Sequence, residues 1–322
     1  MIRNVSKHAL KSLSCFAAVT FFSTSQMSAY EDFLHVNSMS ILYFFSVISK
    51  PLFFIIIGYM DEVEKLTRKE TLIKVKTIII IIIFWNIILS LIKTRFVQQG
   101  YLLQQGIILD MGLIYLFYPI IVKGIRNLKA TALVLVGLVG VIALFDIFSP
   151  LDTRDDPLFI SSFAFIWVWG GYYILGHALG TEQGRRFTRN ASVHLLSKIL
   201  LIPLGISMFF YERYISTHIH ESVAVWFVLE HLYLLAMSMV LFILFDNMSM
   251  KSKLINNIVE FISPAMVGVY IVHYSVFYFI TTLYDFHNFT LRFIPLALVF
   301  IASVMVSRLL LLNKYTAKII SF

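Results

Sequence analysis

Thr77-Ile78-Ile79-Ile80-Ile81-Ile82-Ile83-Phe84-Trp85 is the stretch on which the fold turns. In water, six consecutive isoleucines would suit a buried strand, because β-branched side chains pack well on a pleated surface. Inside a bilayer a lone strand would leave its amides and carbonyls unpaired, so there the same run must be helix. A barrel strand does not fit either, since such strands alternate apolar and polar residues and this one is continuously apolar. The rest of the chain says which solvent applies. Of its 322 residues, 59% are hydrophobic and 14% charged, with a mean hydropathy of +0.84. A soluble domain is roughly 45–50% apolar and about 25% charged. So few charges cannot clothe a soluble core of this size. Cytosolic enzymes, disordered chains and secreted disulfide scaffolds are thereby excluded. The single cysteine, Cys15, forbids an internal disulfide and argues against a thiolate metal cluster, and no metal is expected.

The fold class expected is all-α, a polytopic integral membrane protein. A hydrocarbon core of ~30 Å needs about 20 mostly apolar residues per helix. That ruler gives about ten transmembrane helices, at 10–29, 40–60, 76–92, 107–122, 130–148, 158–180, 194–211, 223–245, 257–281 and 293–313. With the N-terminus inside, 20 Lys and Arg fall on the cytoplasmic side and 5 on the other, while Lys50 lies within a span. The bias supports an N-in, C-in orientation. It also accounts for the net charge of +8 through topology and anionic lipid, so nucleic acid is not a partner but membrane lipids are. Arg3 and Lys7 ahead of an apolar stretch ending at Ala29 resemble a cleavable signal. An uncleaved first span is preferred, because cleavage would leave an odd number of spans. The longest loop, Asp61 to Val75, mixes charges of both signs and reads as a solvated cytoplasmic connector. One domain, 1–322, is expected, with its chemistry inside the bundle or at its faces.

The chain has no GxxxxGK[ST] loop, no GxSxG elbow and no HExxH pair. A His followed by Asp five residues on is also absent. His177 with Glu182 comes nearest and reads as a cap or surface contact at a helix end. Ionisable groups inside spans are costly and are therefore the functional candidates. Lys50 precedes Pro51, and its ammonium could either satisfy the carbonyl that proline frees or bind a ligand. Asp110 and Asp146 lie near span ends. Glu230 and His231 are adjacent and point about 100° apart, so only one can face a given site. Glu230 is either a helix-to-helix hydrogen bond or a catalytic group. His273 lies three residues after Tyr270 and so on nearly the same face. It is either a satisfied structural group or a general base working near neutral pH. Trp85, Trp167 and Trp169 read as interface anchors. Gly176 and Gly180 have the GxxxG spacing that permits close helix packing.

Pro51-Leu52-Phe53-Phe54-Ile55-Ile56-Ile57-Gly58-Tyr59 resembles the "PLFFxxSGY" stretch of the membrane acyltransferase-3 family. Lys74, Lys76 and Phe84-Trp85 in the third span, Tyr115 to Pro119, Gly170 to Gly180, and Ile262-Ser263 through Gly268, Tyr270 and His273 are similar to further motifs of that family. They run in the family's order from about residue 10 to 275. The resemblance implies an O-acyltransferase of the bacterial cytoplasmic (inner) membrane. Such a protein would carry an acetyl group from acetyl-CoA to a hydroxyl of a surface or lipid-linked polysaccharide. Acyl-CoA and a glycan would be its partners, with acetyl-CoA a co-substrate and no cofactor resident. The family's first span carries an Arg associated with the acyl donor and, eleven residues on, a His associated with catalysis. Those positions fall on Lys11 and Phe22. Lys11 keeps the charge but loses the bidentate fork, and is the candidate for donor binding. Phe22 cannot move a proton. Ile57 replaces the family's Ser, and the Trp-Phe pair expected near Gly106 is missing. Two explanations follow. Either His273 or Glu230 takes over the base role, or the chain is a degenerate relative that binds or moves a lipid-linked glycan without acyl transfer; Lys50, Tyr59 and Tyr270 are further intramembrane candidates for the site, with no role assigned. An unrelated secondary transporter finds little support, as no matched pair of interrupted helices is visible in two halves.

Overall fold

A computed structural model describes residues 2–27, 38–92, 107–125, 129–137, 140, 158–218, 223–246, 248, 252–283 and 293–322. Regular structure among them is helical, with no strand, as expected. The isoleucine run lies in the middle of a helix, Arg68–Ile92. That helix opens on a capping box: Thr67 N–H donates to Glu70 Oε2 at 2.8 Å and Glu70 N–H to Thr67 Oγ1 at 3.3 Å. Ile78, Ile81 and Trp85 are buried at helical spacing, while Leu72, Ile73, Ile79, Ile80, Ile83 and Ile87 form the exposed face. An apolar helix with one face against protein and the other uncovered is what lipid contact requires. Among the described residues five stretches are long and apolar enough to cross a membrane: Arg68–Ile88, Ile107–Gly124, Ala191–Phe210, Lys253–Thr281 and Phe293–Leu311.

In chain order the helices are α1 (Ile2–Met27), α2 (Ser38–Ser46), α3 (Ser49–Glu64), α4 (Arg68–Ile92), α5 (Ile107–Gly124), α6 (Leu158–Gly180), α7 (Glu182–Thr188), α8 (Ala191–His218), α9 (Val223–Asp246), α10 (Lys253–Ile262), α11 (Met266–Leu283) and α12 (Phe293–Leu311). A short helix also covers 129–137, overlapping the start of the expected span 130–148; residues 141–148, and Asp146 with them, lie outside the described residues. α1 is central, packed against α2, α3, α9, α10, α11 and α12. Its buried face explains the position. Ala9, Ala17 and Ala18 allow close approach, and Ser12, Ser14, Thr20, Ser23 and Thr24 are small polar groups that favour a helix interface over lipid. Thr24 donates back to the Thr20 carbonyl at 2.6 Å and Ser12 to that of His8 at 2.9 Å.

The most extensive helix contact joins α3 to α6. A Cβ added at Gly176 would come within 2.1 Å of the Ile55 carbonyl oxygen, and one at Gly58 within 2.1 Å of the Tyr173 carbonyl oxygen. Only glycine lets the two backbones meet, so the packing read from Gly176 and Gly180 holds.

Three expectations about boundaries are corrected. The segment 40–60 is two helices, α2 and α3, separated by a turn at Val47–Ile48. Pro51 in the first turn of α3 has no N–H to continue a helix back across that point. The segment 257–281 is interrupted by a 3₁₀ turn, Ser263–Ala265, that contains Pro264. α10 before it is amphipathic: Leu254, Ile255, Ile258 and Phe261 form an exposed apolar face, with Lys253, Asn256, Asn257 and Glu260 on the other side. Finally, Asp61 to Val75 is not a solvated connector. Only Lys65 to Thr67 is non-helical, with Lys65 in the left-handed region at φ 53°, and Asp61 is 1% exposed.

Candidate functional site

Lys50, Tyr270 and His273 meet around a cavity of about 140 Å³, which Ala18, Phe21 and Phe22 of α1 and Ile107 of α5 also line. α11 supplies two of the three. Their spacing of three residues puts both on its inner face, as expected. His273 is buried, and its Nδ1 lies 2.8 Å from the Val269 carbonyl one turn back. A carbonyl can only accept, so Nδ1 carries the proton and Nε2 keeps the lone pair. The Phe22 ring meets the imidazole edge-to-face, with centroids 5.3 Å apart, and also contacts Tyr274 at 4.6 Å and Phe277 at 5.3 Å. The position where the family's first-span His would stand is therefore in direct contact with the one imidazole that lines this cavity.

Tyr270 has a different part. Its hydroxyl donates to the Ser49 carbonyl at 2.6 Å and lies 2.9 Å from Ser14 Oγ, which can donate to it in turn. This ties α1, α3 and α11 together beside the turn that separates α2 from α3. The phenol is thus committed to holding the cavity wall. Lys50, next in the chain, reaches over the Trp169 ring at 5.7 Å from its centroid. Asp110 on α5 is the carboxylate whose field reaches it. Among the described residues Lys50 makes no hydrogen bond or ion pair, so it does not satisfy a carbonyl freed by Pro51. Trp169 is buried and stacked on Phe54 and Tyr172, and Trp85 donates to the Ile319 carbonyl at 2.7 Å. Neither is an interface anchor. The side chain of Trp167 lies outside the described residues.

Lys11 lies toward the other end of α1, and Tyr59 of α3 packs beside that end. Eleven residues separate Lys11 from Phe22, about 16 Å along a helix. Lys11 has Glu64, Lys7 and Lys74 as charged neighbours. Lys7 Nζ stands 5.1 Å above the Tyr59 ring, and both line a second, smaller cavity with Phe242 and Asp246. His8 is 2.6 Å from Ser263 Oγ, and burial together with Lys11 holds its imidazole below the ordinary range. Glu230 is in α9, but its side chain and that of His231 lie outside the described residues.

Sequence reasoning missed one cluster. Asp61 Oδ1 takes a hydrogen bond from Lys74 Nζ at 2.9 Å, and Oδ2 one from the Tyr173 hydroxyl at 2.8 Å. Lys74 also donates to the Tyr115 hydroxyl at 3.2 Å. Asp61 lies one turn beyond Gly58, on the face that packs against α6, and a carboxylate there demands partners. His177 was expected at a surface. It is 3% exposed, and its Nε2 lies 3.1 Å from Glu62 Oε2, whereas Glu182 pairs with Arg186.

No curated protein and no solved structure matches the chain. The acyltransferase-3 family model, described as an acyltransferase domain, matches residues 8–312. That range runs from the first turns of α1 through α12 and takes in the larger cavity, the smaller one apart from Lys7, and the Asp61 cluster. The helices built for lipid and the near-complete family match lead to one conclusion: this chain belongs to the acyltransferase-3 family of membrane acyltransferases.

Proposed function

We propose that the chain transfers an acetyl group from acetyl-CoA to a hydroxyl of a surface or lipid-linked polysaccharide, with His273 as general base. The contact between Phe22 and His273 carries this reading. A base lost from α1 is replaced across the same cavity by one on α11. In the step, the acceptor hydroxyl oxygen attacks the thioester carbonyl while His273 Nε2 takes its proton. The tetrahedral adduct collapses to an ester, the C–S bond breaks, and the imidazolium returns the proton to the departing thiolate. Lys11, with Lys7 beside it, holds the donor's phosphates as point charges. The charge bias along the chain supports ten crossings of a bacterial inner membrane with both ends cytoplasmic, so the donor arrives from the cytoplasm at the Lys7 and Lys11 end of α1.

A second reading has its own observation. Phe22 fills the family's base position with a ring that cannot titrate, as a relative that binds or moves glycan without transfer would allow. Acetyl-CoA turnover by the purified protein separates the two. Under the first, His273→Gln lowers turnover roughly 10²–10⁴-fold. Under the second, the native chain is inactive, and Phe22→His is the variant that gains activity. Full turnover in His273→Gln would remove His273 from the chemistry.

A further inference from the structure

Lys50 is the one charged residue among those lining the larger cavity; the others are Ala18, Phe21, Phe22, Ser49, Ile107, Tyr270 and His273. Its ammonium is held within the bundle with a Trp169 face as its only direct partner among the described residues. Asp110 lies one turn along α5 from Ile107 and is not among the lining residues. It makes no hydrogen bond or ion pair with the ammonium and so does not occupy the donors. A desolvated cation facing a cavity with its protons unspent is arranged to receive an anion. The cavity, at about 140 Å³, admits about one unsubstituted ring, since engineered cavities of roughly 150 Å³ take up benzene, and it is open on one side, so a hexose can seat one edge against Lys50 with its remaining hydroxyls projecting from the mouth. Phe21 and Phe22 offer it aromatic walls, and Ser49 and His273 offer polar groups.

We infer that this cavity receives the acceptor sugar, and that the sugar carries one negative charge which Lys50 reads. This rests on the proposed acyl transfer only in naming the occupant as the acceptor. A carboxylate on the ring and a phosphate on the anomeric carbon would meet the ammonium equally well, so both are tested. Lys50 is a specificity residue here, whereas His273 acts on the hydroxyl.

The full chain, purified in a zwitterionic detergent, is titrated by calorimetry with glucuronate, glucose 1-phosphate and glucose. At least one anionic sugar is expected to bind about tenfold or more tighter than glucose. Lys50→Gln should erase that preference and leave glucose binding unchanged, while Lys50→Arg should keep most of it. The glucuronate and glucose 1-phosphate arms tell carboxylate from phosphate recognition. Equal affinities in the native protein, no binding of any of the three sugars, or a preference that survives Lys50→Gln would overturn the inference. Acetyl-CoA turnover on the same preparations keeps the two proposals apart. Charge-selective binding without turnover leaves this one standing and removes acyl transfer. Turnover on neutral and anionic sugars alike, indifferent to Lys50→Gln, does the reverse.

Discussion

Replacing Gly176 by alanine adds one carbon where two helix backbones touch. The new Cβ would lie 2.1 Å from the Ile55 carbonyl oxygen, 2.7 Å from its carbon and 2.8 Å from its Cα. All three are main-chain atoms, so no side chain can swing away. To bring the oxygen contact to 3.0 Å, below which real Cβ atoms essentially never approach, α3 and α6 must part by roughly 1 Å, and close-packed interiors pass such strain on. The Tyr173–Asp61 hydrogen bond spans the same interface at 2.8 Å. Stretched by that amount it leaves hydrogen-bonding range, and Asp61 loses one of its two oxygens' partners. Overpacking of this kind costs about 1–3 kcal/mol, and a lost hydrogen bond to a buried charged group about as much again. The expected destabilisation is roughly 2–5 kcal/mol, read as a lower thermal midpoint of the detergent-purified protein. Gly170→Ala on the same helix is the control, because an added Cβ there meets nothing within 4 Å. It should be neutral or stabilising by up to ~1 kcal/mol through helix propensity. Should the two variants melt together, the backbone contact between α3 and α6 does not exist as described.

Removing the cation from the Asp61 cluster leaves a carboxylate that is 2% exposed without its counter-charge. Lys74→Met should therefore cost roughly 2–4 kcal/mol, somewhat below a fully buried pair because Lys74 is 20% exposed, and Asp61→Asn in the same chain should recover part of it in the same melts. Tyr270→Phe deletes the donor to the Ser49 carbonyl, which retains Ser14 Oγ at 3.4 Å; a loss of about 1–2 kcal/mol is expected, and an unchanged midpoint would show that the tie between α3 and α11 carries no load. His8 predicts a pH dependence. The unfolded imidazole takes up its proton near 6.5, whereas burial and Lys11 delay uptake in the fold to lower pH. The stability it contributes is thus complete above about pH 6.5 and falls away as the pH drops towards the folded value. Midpoints measured from pH 8 to 5 should decline more steeply for the native protein than for His8→Asn, and parallel curves would exclude His8 as the source.

What could be read from the chain divides along a physical line. The helical class was legible in Ile78 to Ile83 because the penalty for unpaired backbone in lipid applies whatever the neighbours are. The close packing of α3 and α6 was legible too, since Gly176 and Gly180 mark a face by spacing alone. The interruptions at Val47–Ile48 and Ser263–Ala265 were not, because hydropathy measures how apolar a segment is and not whether each carbonyl finds its amide. Pro51, three residues past the first break, and Pro264, inside the second, were the available signals. Asp61 was misjudged for a related reason: its neighbours Glu62, Glu64 and Lys65 gave the stretch a solvated look, while its own direction is set by Gly58 one turn earlier. The site shows the limit most sharply. An imidazole in an apolar helix flagged His273, and a substituted motif flagged Phe22, but no spacing rule joins them. They meet because α1 is drawn to the centre by its buried serines, threonines and alanines and lies against α11 there. Whether the loss at Phe22 disables the protein or is made good therefore depends on how one helix is buried, and neither motif by itself carries that fact.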